Sequence, residues 1–336
     1  QWNASNNNIK VINTTAKDLK GAIAKATIYN LNGKEVSAYG QTKQVDVAAS
    51  NIAEAFSLNF NPFNLAYGKK AVASSSTGVS KSASMVTDGG AGSRWESAYS
   101  DPQWIYIDLG KEEKIEKVIL KWEAACAKKY ELQVSNDAQE WKTVYVNKDG
   151  RGDTEQIELE PVTARYVKLA GISRVTQFGY SLFEFEIYGE KPKEIEELTP
   201  LHFIKLELTD AKGNLISENF YWRNGVNDLD YTLLNTLPEA DLSCRLVDKS
   251  MSDGKMKIAV KNNSETVAFA NRVRLVNKDT QKRILPIIMS DNYVTLMPGE
   301  EKVITMEATP ELLKGGVSVL VKQYGKAEKN KLDIAD

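Results

Sequence analysis

From Trp104 to Leu109 the chain reads Trp-Ile-Tyr-Ile-Asp-Leu, with Ile105, Ile107 and Leu109 alternating against Trp104, Tyr106 and Asp108. A period of two belongs to a strand with one buried face, and the reading closes that strand at Gly110. The same signature recurs in short segments along the whole chain, separated by Gly, Pro, Asn and Asp turns. No stretch carries a convincing long helical period, so an all-β fold follows. A chain of 336 residues predicts two or three domains.

The order of the segments suggests how they divide. Ile9–Asn13, Ala22–Asn30, Glu35–Tyr39, Lys43–Val47 and Glu54–Asn59 read as strands, with a turn at Asn32-Gly33. They are too few for an immunoglobulin-like sandwich, which needs about seven. After Asn61-Pro62-Phe63-Asn64 the character changes, and a new unit of half-buried strands runs to about Gly189. The charged run Glu190–Glu197, broken by Pro192, reads as a linker. Beyond it, Leu201–Thr209 and Leu215–Trp222 form a hairpin that supplies the missing strands. The economical arrangement is a discontinuous sandwich, residues 1–62 plus 197–223, with residues 63–190 inserted at a loop tip. Residues 228–325 repeat the sandwich pattern, and the charged tail from Lys326 is expected to fray.

Composition narrows the function classes. A formal net charge of −2 gives no footprint for nucleic acid or an anionic membrane surface. No apolar run approaches the roughly 20 residues that span a bilayer. Cys126 and Cys244 fall in different domains and are expected as isolated thiols. The single histidine, His202, sits in a strand pattern and rules out most His-dependent triads. The start at Gln1-Trp2-Asn3 reads as a piece of a longer chain.

Landmarks along the middle unit carry a resemblance. They are Asn64-Leu65-Ala66-Tyr67-Gly68-Lys69, Asp88-Gly89 with Ser93-Arg94-Trp95, Asp101-Pro102-Gln103-Trp104, and Ile107-Asp108-Leu109-Gly110. Trp122-Glu123-Ala124-Ala125, Ala164-Arg165-Tyr166-Val167 and Phe183–Gly189 follow in order, with Cys126 a departure where an aromatic is expected. The unit resembles a factor V/VIII C-type, or discoidin, domain of the family 32 carbohydrate-binding module kind, a jelly-roll β-sandwich. The flanks resemble the immunoglobulin-like C-terminal sandwiches of family 2 glycoside hydrolases, in the exo-β-glucosaminidase and β-mannosidase branch. The motifs there are Ala26–Gly33, Leu206–Gly213, Ser217–Trp222 and Ser290–Glu300. This resemblance implies an upstream catalytic barrel in the same chain, a carbohydrate or polysaccharide partner, and a secreted or bacterial periplasmic setting.

Nothing in the sequence alternates strands with 10–15-residue helices, so no barrel is expected here, and no catalytic residues are assigned. Binding is the remaining chemistry. A sugar presents hydroxyls on its rim and apolar C–H patches on its faces, which an aromatic ring and fixed polar groups complement. The stretches Trp95–Tyr99, Trp122-Glu123, Lys128-Lys129 and Arg174–Tyr180 offer such residues. Tyr99 or Tyr180 is the expected platform, with Glu123 and Arg174 bonding hydroxyls and Trp95 beside them. Packing is the competing role for Trp95, Trp104 and Trp122 and equally for Tyr99 and Tyr180, and an ion pair the competing role for Arg94 and Glu123. The discoidin resemblance also implies a structural calcium ion held by Asp88, Ser93 and Glu184, completed by carbonyls near Ala83 and Ser93. An ion-free turn around Gly89, Gly90 and Gly92 is the alternative. Arg151-Gly152-Asp153 reads as turn chemistry, Asn3, Asn13 and Asn262 as chance glycosylation triplets, and Gly89–Gly92 as no phosphate cradle. The reading is thus a non-catalytic region of a glycoside hydrolase with an inserted glycan-binding module. Purely structural bracing and a stand-alone adhesin are the alternatives.

Overall fold

The computed structural model describes residues 1–90, 92–190, 196–225 and 229–335, without the side chain of Asn330. Lys191–Ile195 of the expected linker, Asp228 at the expected start of the last domain, and Ala91 lie outside the described residues. The chain divides into two compact units, one of residues 1–2, 9–56 and from Glu196 on, the other of residues 3–8 and the described part of 57–195.

In the first unit, Leu215–Asn224, Leu201–Thr209, Leu19–Asn30 and Gln41–Val47 form one four-stranded sheet in that order. Strand Leu201–Thr209 thus lies antiparallel on Leu19–Asn30, with His202 opposite Asn30 and Thr209 opposite Ile23. Two further four-stranded sheets make the next sandwich. Leu242–Ser250, Lys255–Asn262, Glu301–Ala308 and Ile287–Met289 form one; Val294–Leu296, Ala268–Asn277, Val317–Lys322 and Glu328–Ile334 form the other. Ile258, Val273, Leu275, Ile304, Val319 and Val321 fill the space between them. A separate apolar cluster joins the sandwiches, with Leu201 and Phe203 from one and Val267, Phe269 and Met297 from the other. Gly33, at φ +87°, turns against this seam: a Cβ there would lie 2.8 Å from Val267 Cγ2. Lys302 adds an ion pair to Glu218 at 2.6 Å, and Lys205 one to Glu300.

Two segments of the first unit differ from expectation. Glu35–Tyr39 is not a strand: Glu35 makes one bridge to Tyr29, and Ser37–Tyr39 is a 3₁₀ turn. Its buried residues, Val36 and Tyr39, are three apart, which suits that turn and not a pleat. The tail is not frayed, because Glu328–Ile334 pairs with Val317–Lys322 and buries Ile334. Glu328 also accepts from Arg272 and Arg274.

The second unit is a seven-stranded arrangement in the order Trp95–Glu96, Ser181–Tyr188, Gln103–Trp122, Thr154–Arg174, Ala127–Ser135 and Lys142–Asn147, with Lys70–Ala73 also on Gln103–Trp122. Gln103–Trp122 and Thr154–Arg174 pair along most of their length, with register shifts at Glu158/Val162 and Ala164/Tyr166. Such irregularities bend long strands so that one pair serves both layers of a sandwich. Gly110 does not close its strand as expected. At φ +85°, with its amide donating to Asp108 Oδ1 at 2.8 Å, it is a kink inside a 20-residue strand. Ile105, Ile107, Leu109, Val118 and Leu120 face Leu169, Val167, Phe185 and Ile187 in one core.

Candidate glycan-binding loops

Three loops of the second unit are tied together at one end of its sheet. Trp95-Glu96 pairs with Leu182-Ser181. The Glu123 amide donates to the Ser181 carbonyl at 3.0 Å, the Ser181 amide to the Ala125 carbonyl at 2.8 Å, and the Ser97 amide to the Tyr180 carbonyl at 2.9 Å. Gly179 makes this approach possible, since a Cβ there would lie 2.1 Å from the Ser97 carbonyl oxygen.

Within this frame the expected binding residues separate into two groups. Tyr180 is only 1% exposed, and Gly171 leaves the space that its ring fills: a Cβ at 171 would lie 2.6 Å from Tyr180 Cε1. The Tyr180 hydroxyl donates to Asp101 Oδ1 at 2.5 Å. Arg174 Nε donates to the same oxygen at 3.2 Å, and its Nη1 reaches the carbonyls of Gln177 and Phe178 at 3.2 and 3.0 Å. Tyr180 is therefore corrected from platform to buried post, and Arg174 is a brace that shapes the 174–180 loop. Trp95, 1% exposed with Nε1 donating to the Ser75 carbonyl at 2.8 Å, is likewise core. Lys128-Lys129 lies in strand Ala127–Ser135, with Lys128 paired to Asp149, and leaves the loop set.

Tyr99 and Glu123 remain at the surface of the loops. Tyr99 is 53% exposed and meets Phe178, 50% exposed, edge-on at 5.9 Å between ring centroids and 86° between planes. Phe178 was not singled out from the sequence; its one signal is the following Gly179, which docks the backbone and leaves the ring outside. The Tyr99 hydroxyl donates to Glu96 Oε1 at 3.0 Å. Glu96 is buried and also accepts from Lys81 at 2.6 Å, Arg94 at 3.0 Å and Thr77 at 3.1 Å. Burial alone would raise its pKa; the bonds from Lys81, Tyr99, Arg94 and Thr77 outweigh that and hold it at about 2. Glu123 is part-exposed, with Oε2 accepting from the Ala125 amide at 3.0 Å and Oε1 3.9 Å from Arg94 Nη1. The loops thus present two aromatic rings and, on a neighbouring loop, a part-exposed carboxylate, all on a braced backbone, which suits a sugar's apolar face and its polar rim.

The expected metal residues lie together at another loop. Ser93 Oγ and the Gly90 amide donate to Asp88 Oδ1 at 2.8 and 2.7 Å. Glu184 is buried, and its Oε1 has no hydrogen-bond partner among the described residues. Burial first, then the charges of Asp88 and Glu186, push its pKa up to about 9. An orphaned carboxylate oxygen facing a second carboxylate is a donor set that a hard cation fits, with backbone carbonyls needed to complete its shell. The described residues hold no cluster of three or more His, Cys, Asp or Glu side chains placed for a metal.

Comparison with known proteins matches two stretches of the chain. Residues 70–185 match the F5/8 type C domain, and residues 219–324 match the exo-β-D-glucosaminidase Ig-fold domain. The exo-β-D-glucosaminidase of Hypocrea virens is 31% identical over 130 residues, covering 32% of this chain and 14% of its own. An exo-chitosanase of Amycolatopsis orientalis is similar in fold at 17% identity and a TM-score of 0.52, over 98% of this chain and 26% of that one. Chitosan-binding module 1 from a Paenibacillus sp. IK-5 chitosanase/glucanase is 47% identical over 38% of this chain and 98% of the module, with a TM-score of 0.37. The chain therefore contains a discoidin-type domain and an immunoglobulin-like domain of the exo-β-glucosaminidase kind, and it spans a small part of those enzymes. Its domain composition matches a carbohydrate-binding and immunoglobulin-like region appended to a catalytic enzyme.

Proposed function

We propose that the F5/8 type C domain binds a glucosamine-containing polysaccharide at its braced loops and holds it near a family 2 glycoside hydrolase barrel of the same protein. The observation that carries this reading is the exposed Tyr99–Phe178 pair on loops whose backbones are tied to the one that carries the part-exposed Glu123. The rings would lie against the C–H faces of a sugar, and the Glu123 carboxylate would pair with a protonated amine, a charge-assisted bond that a neutral hexose lacks. The exo-β-D-glucosaminidase relatives favour an amino sugar over other glycans. Tethering the polymer beside the active site would raise its effective concentration there, which makes a secreted or periplasmic setting the natural one. Asp88, Ser93 and Glu184 would hold a calcium ion as a structural clamp on the domain. The apolar seam between the immunoglobulin-like sandwiches favours a bracing role for them.

Calorimetric titration of the chain with glucosamine oligomers, and with the same oligomers fully N-acetylated, tests the proposal. Saturable binding of the free amines, weakened about tenfold or more by acetylation, is expected. Equal affinity for both would remove the role given to Glu123.

A further inference from the structure

The outer face of the second unit's sheet carries more aromatic surface than a solvated sheet face needs. Trp104, Tyr106 and Asp108 point away from the core, their neighbours Ile105, Ile107 and Leu109 into it. Trp104 stacks on Tyr106 at 5.7 Å and 14°. Tyr106 in turn meets Trp141 at 5.6 Å and Tyr166 at 5.9 Å, so four rings are contiguous. Cations are spread over this band: Lys168 Nζ lies 3.9 Å above the Trp141 ring, and Arg165, paired with Asp108 at 2.8 Å, lies 4.9 Å from Tyr166. The cation–π contacts hold the outer rings in place.

The row of residues at the Trp104 end forms a seat. In the register, Ala170 lies between Trp104 on one neighbouring strand and Glu131 on the other. A methyl side chain between an indole and a carboxylate leaves a shallow trough, with an aromatic wall on one side and an acceptor wall on the other. Glu131 is fixed there by Gln133 Nε2 at 2.9 Å and Thr143 Oγ1 at 2.8 Å. Trp104 is 36% exposed, so its ring is open to a ligand.

The trough also adjoins the loops of Tyr99 and Phe178 along both strands. Trp104 is three residues beyond Asp101, the carboxylate that anchors both Tyr180 and Arg174. Ala170 is four residues before Arg174 on the opposite strand. A chain lying on Tyr99 and Phe178 and leaving over Asp101 would reach the Trp104 trough next.

We propose that Trp104, Ala170 and Glu131 form a second glycan subsite, so that the domain holds an extended polymer along a track from the loops onto the sheet face. The proposal rests on the loop reading above and adds a dependence on chain length. Calorimetry with glucosamine disaccharide and hexasaccharide tests it on the full chain, with Trp104→Ala and Ala170→Leu as variants. Trp104 is solvent-facing and Ala170 lies on the outer face, and a thermal melt of each variant checks the fold. The hexasaccharide is expected to bind at least about tenfold more tightly than the disaccharide, and either variant to bring it down to the disaccharide's level. Equal affinity of the two oligomers for the unaltered chain, with binding intact, overturns the track and leaves the loop reading standing. No binding of either oligomer overturns both. A change of sedimentation on Trp104→Ala, with the length dependence retained, would instead assign the face to contact between copies of the chain and reject the subsite.

Discussion

The Tyr99 hydroxyl donates to Glu96 Oε1 at 3.0 Å, so the exposed ring is pinned by a buried carboxylate that three other side chains hold. A ring fixed before the ligand arrives loses less freedom on binding. Tyr99→Phe keeps the ring and removes the pin, and it is expected to weaken oligosaccharide binding a few-fold. Tyr99→Ala removes the platform and is expected to weaken it about tenfold or more, with little change in melting temperature because the ring is half exposed. Calorimetry on the three proteins checks the order.

Glu96 is also a stability element. Its folded pKa of about 2 lies below the ordinary value of 4.5, so its contribution is fully present above about pH 4.5 and is lost as pH falls toward 2. Glu96→Gln leaves Lys81 and Arg94 without their buried partner and is expected to cost about 3 kcal/mol at pH 7, near the lower end for a broken buried pair because Lys81 is part-exposed. Urea unfolding at pH 7 and pH 3 should show a large difference between the proteins at the first pH and a smaller one at the second.

Glu184 carries the opposite sign. Its folded pKa of about 9 lies above the ordinary 4.5, so the folded domain keeps a proton there that the unfolded chain releases. In the absence of a divalent cation, stability should therefore decline as pH rises from about 5 toward 9. Calcium would favour the ionised carboxylate, and thermal melts with millimolar calcium against a chelator should diverge as pH rises. In Glu184→Gln both the decline and the calcium response should flatten; a calcium response that survives this change would exclude Glu184 as a ligand.

Tyr180 and Tyr99 should respond differently to mutation although both are loop tyrosines. Tyr180→Phe loses the bond to Asp101 and is expected to cost about 1 kcal/mol in denaturant unfolding. Tyr180→Ala empties a packed site and is expected to cost about 3–5 kcal/mol.

Much of this arrangement was legible in the sequence. The strand at Trp104–Leu109 follows from its alternation, and the discoidin landmarks mark the second unit from end to end. What escaped depends on partners distant in the chain. The strand continues through Gly110 because Gln103–Trp122 pairs with Thr154–Arg174 on both sides of the kink. Strand Glu328–Ile334 was hidden because its apolar face is short: Lys331 and Asp333 alternate with Leu332 and Ile334, which pack on the core. Tyr180 resembles Tyr99 in local composition, and its burial is decided by the space above Gly171, nine residues earlier on another segment. Phe178 was overlooked because an apolar ring in a loop reads as packing, whereas the docked Gly179 backbone turns it outward.

The central claim is that the loops at 96–102, 123–126 and 174–180 form the glycan site. Backbone amide NMR of the isotope-labelled chain, titrated with a glucosamine trisaccharide, tests it most directly. The account predicts saturable shifts concentrated in those three loops, with the amides of Tyr99 and Phe178 among the most affected. Saturable shifts confined to residues outside the loops and the adjoining sheet face, or no shifts at millimolar ligand, would contradict it.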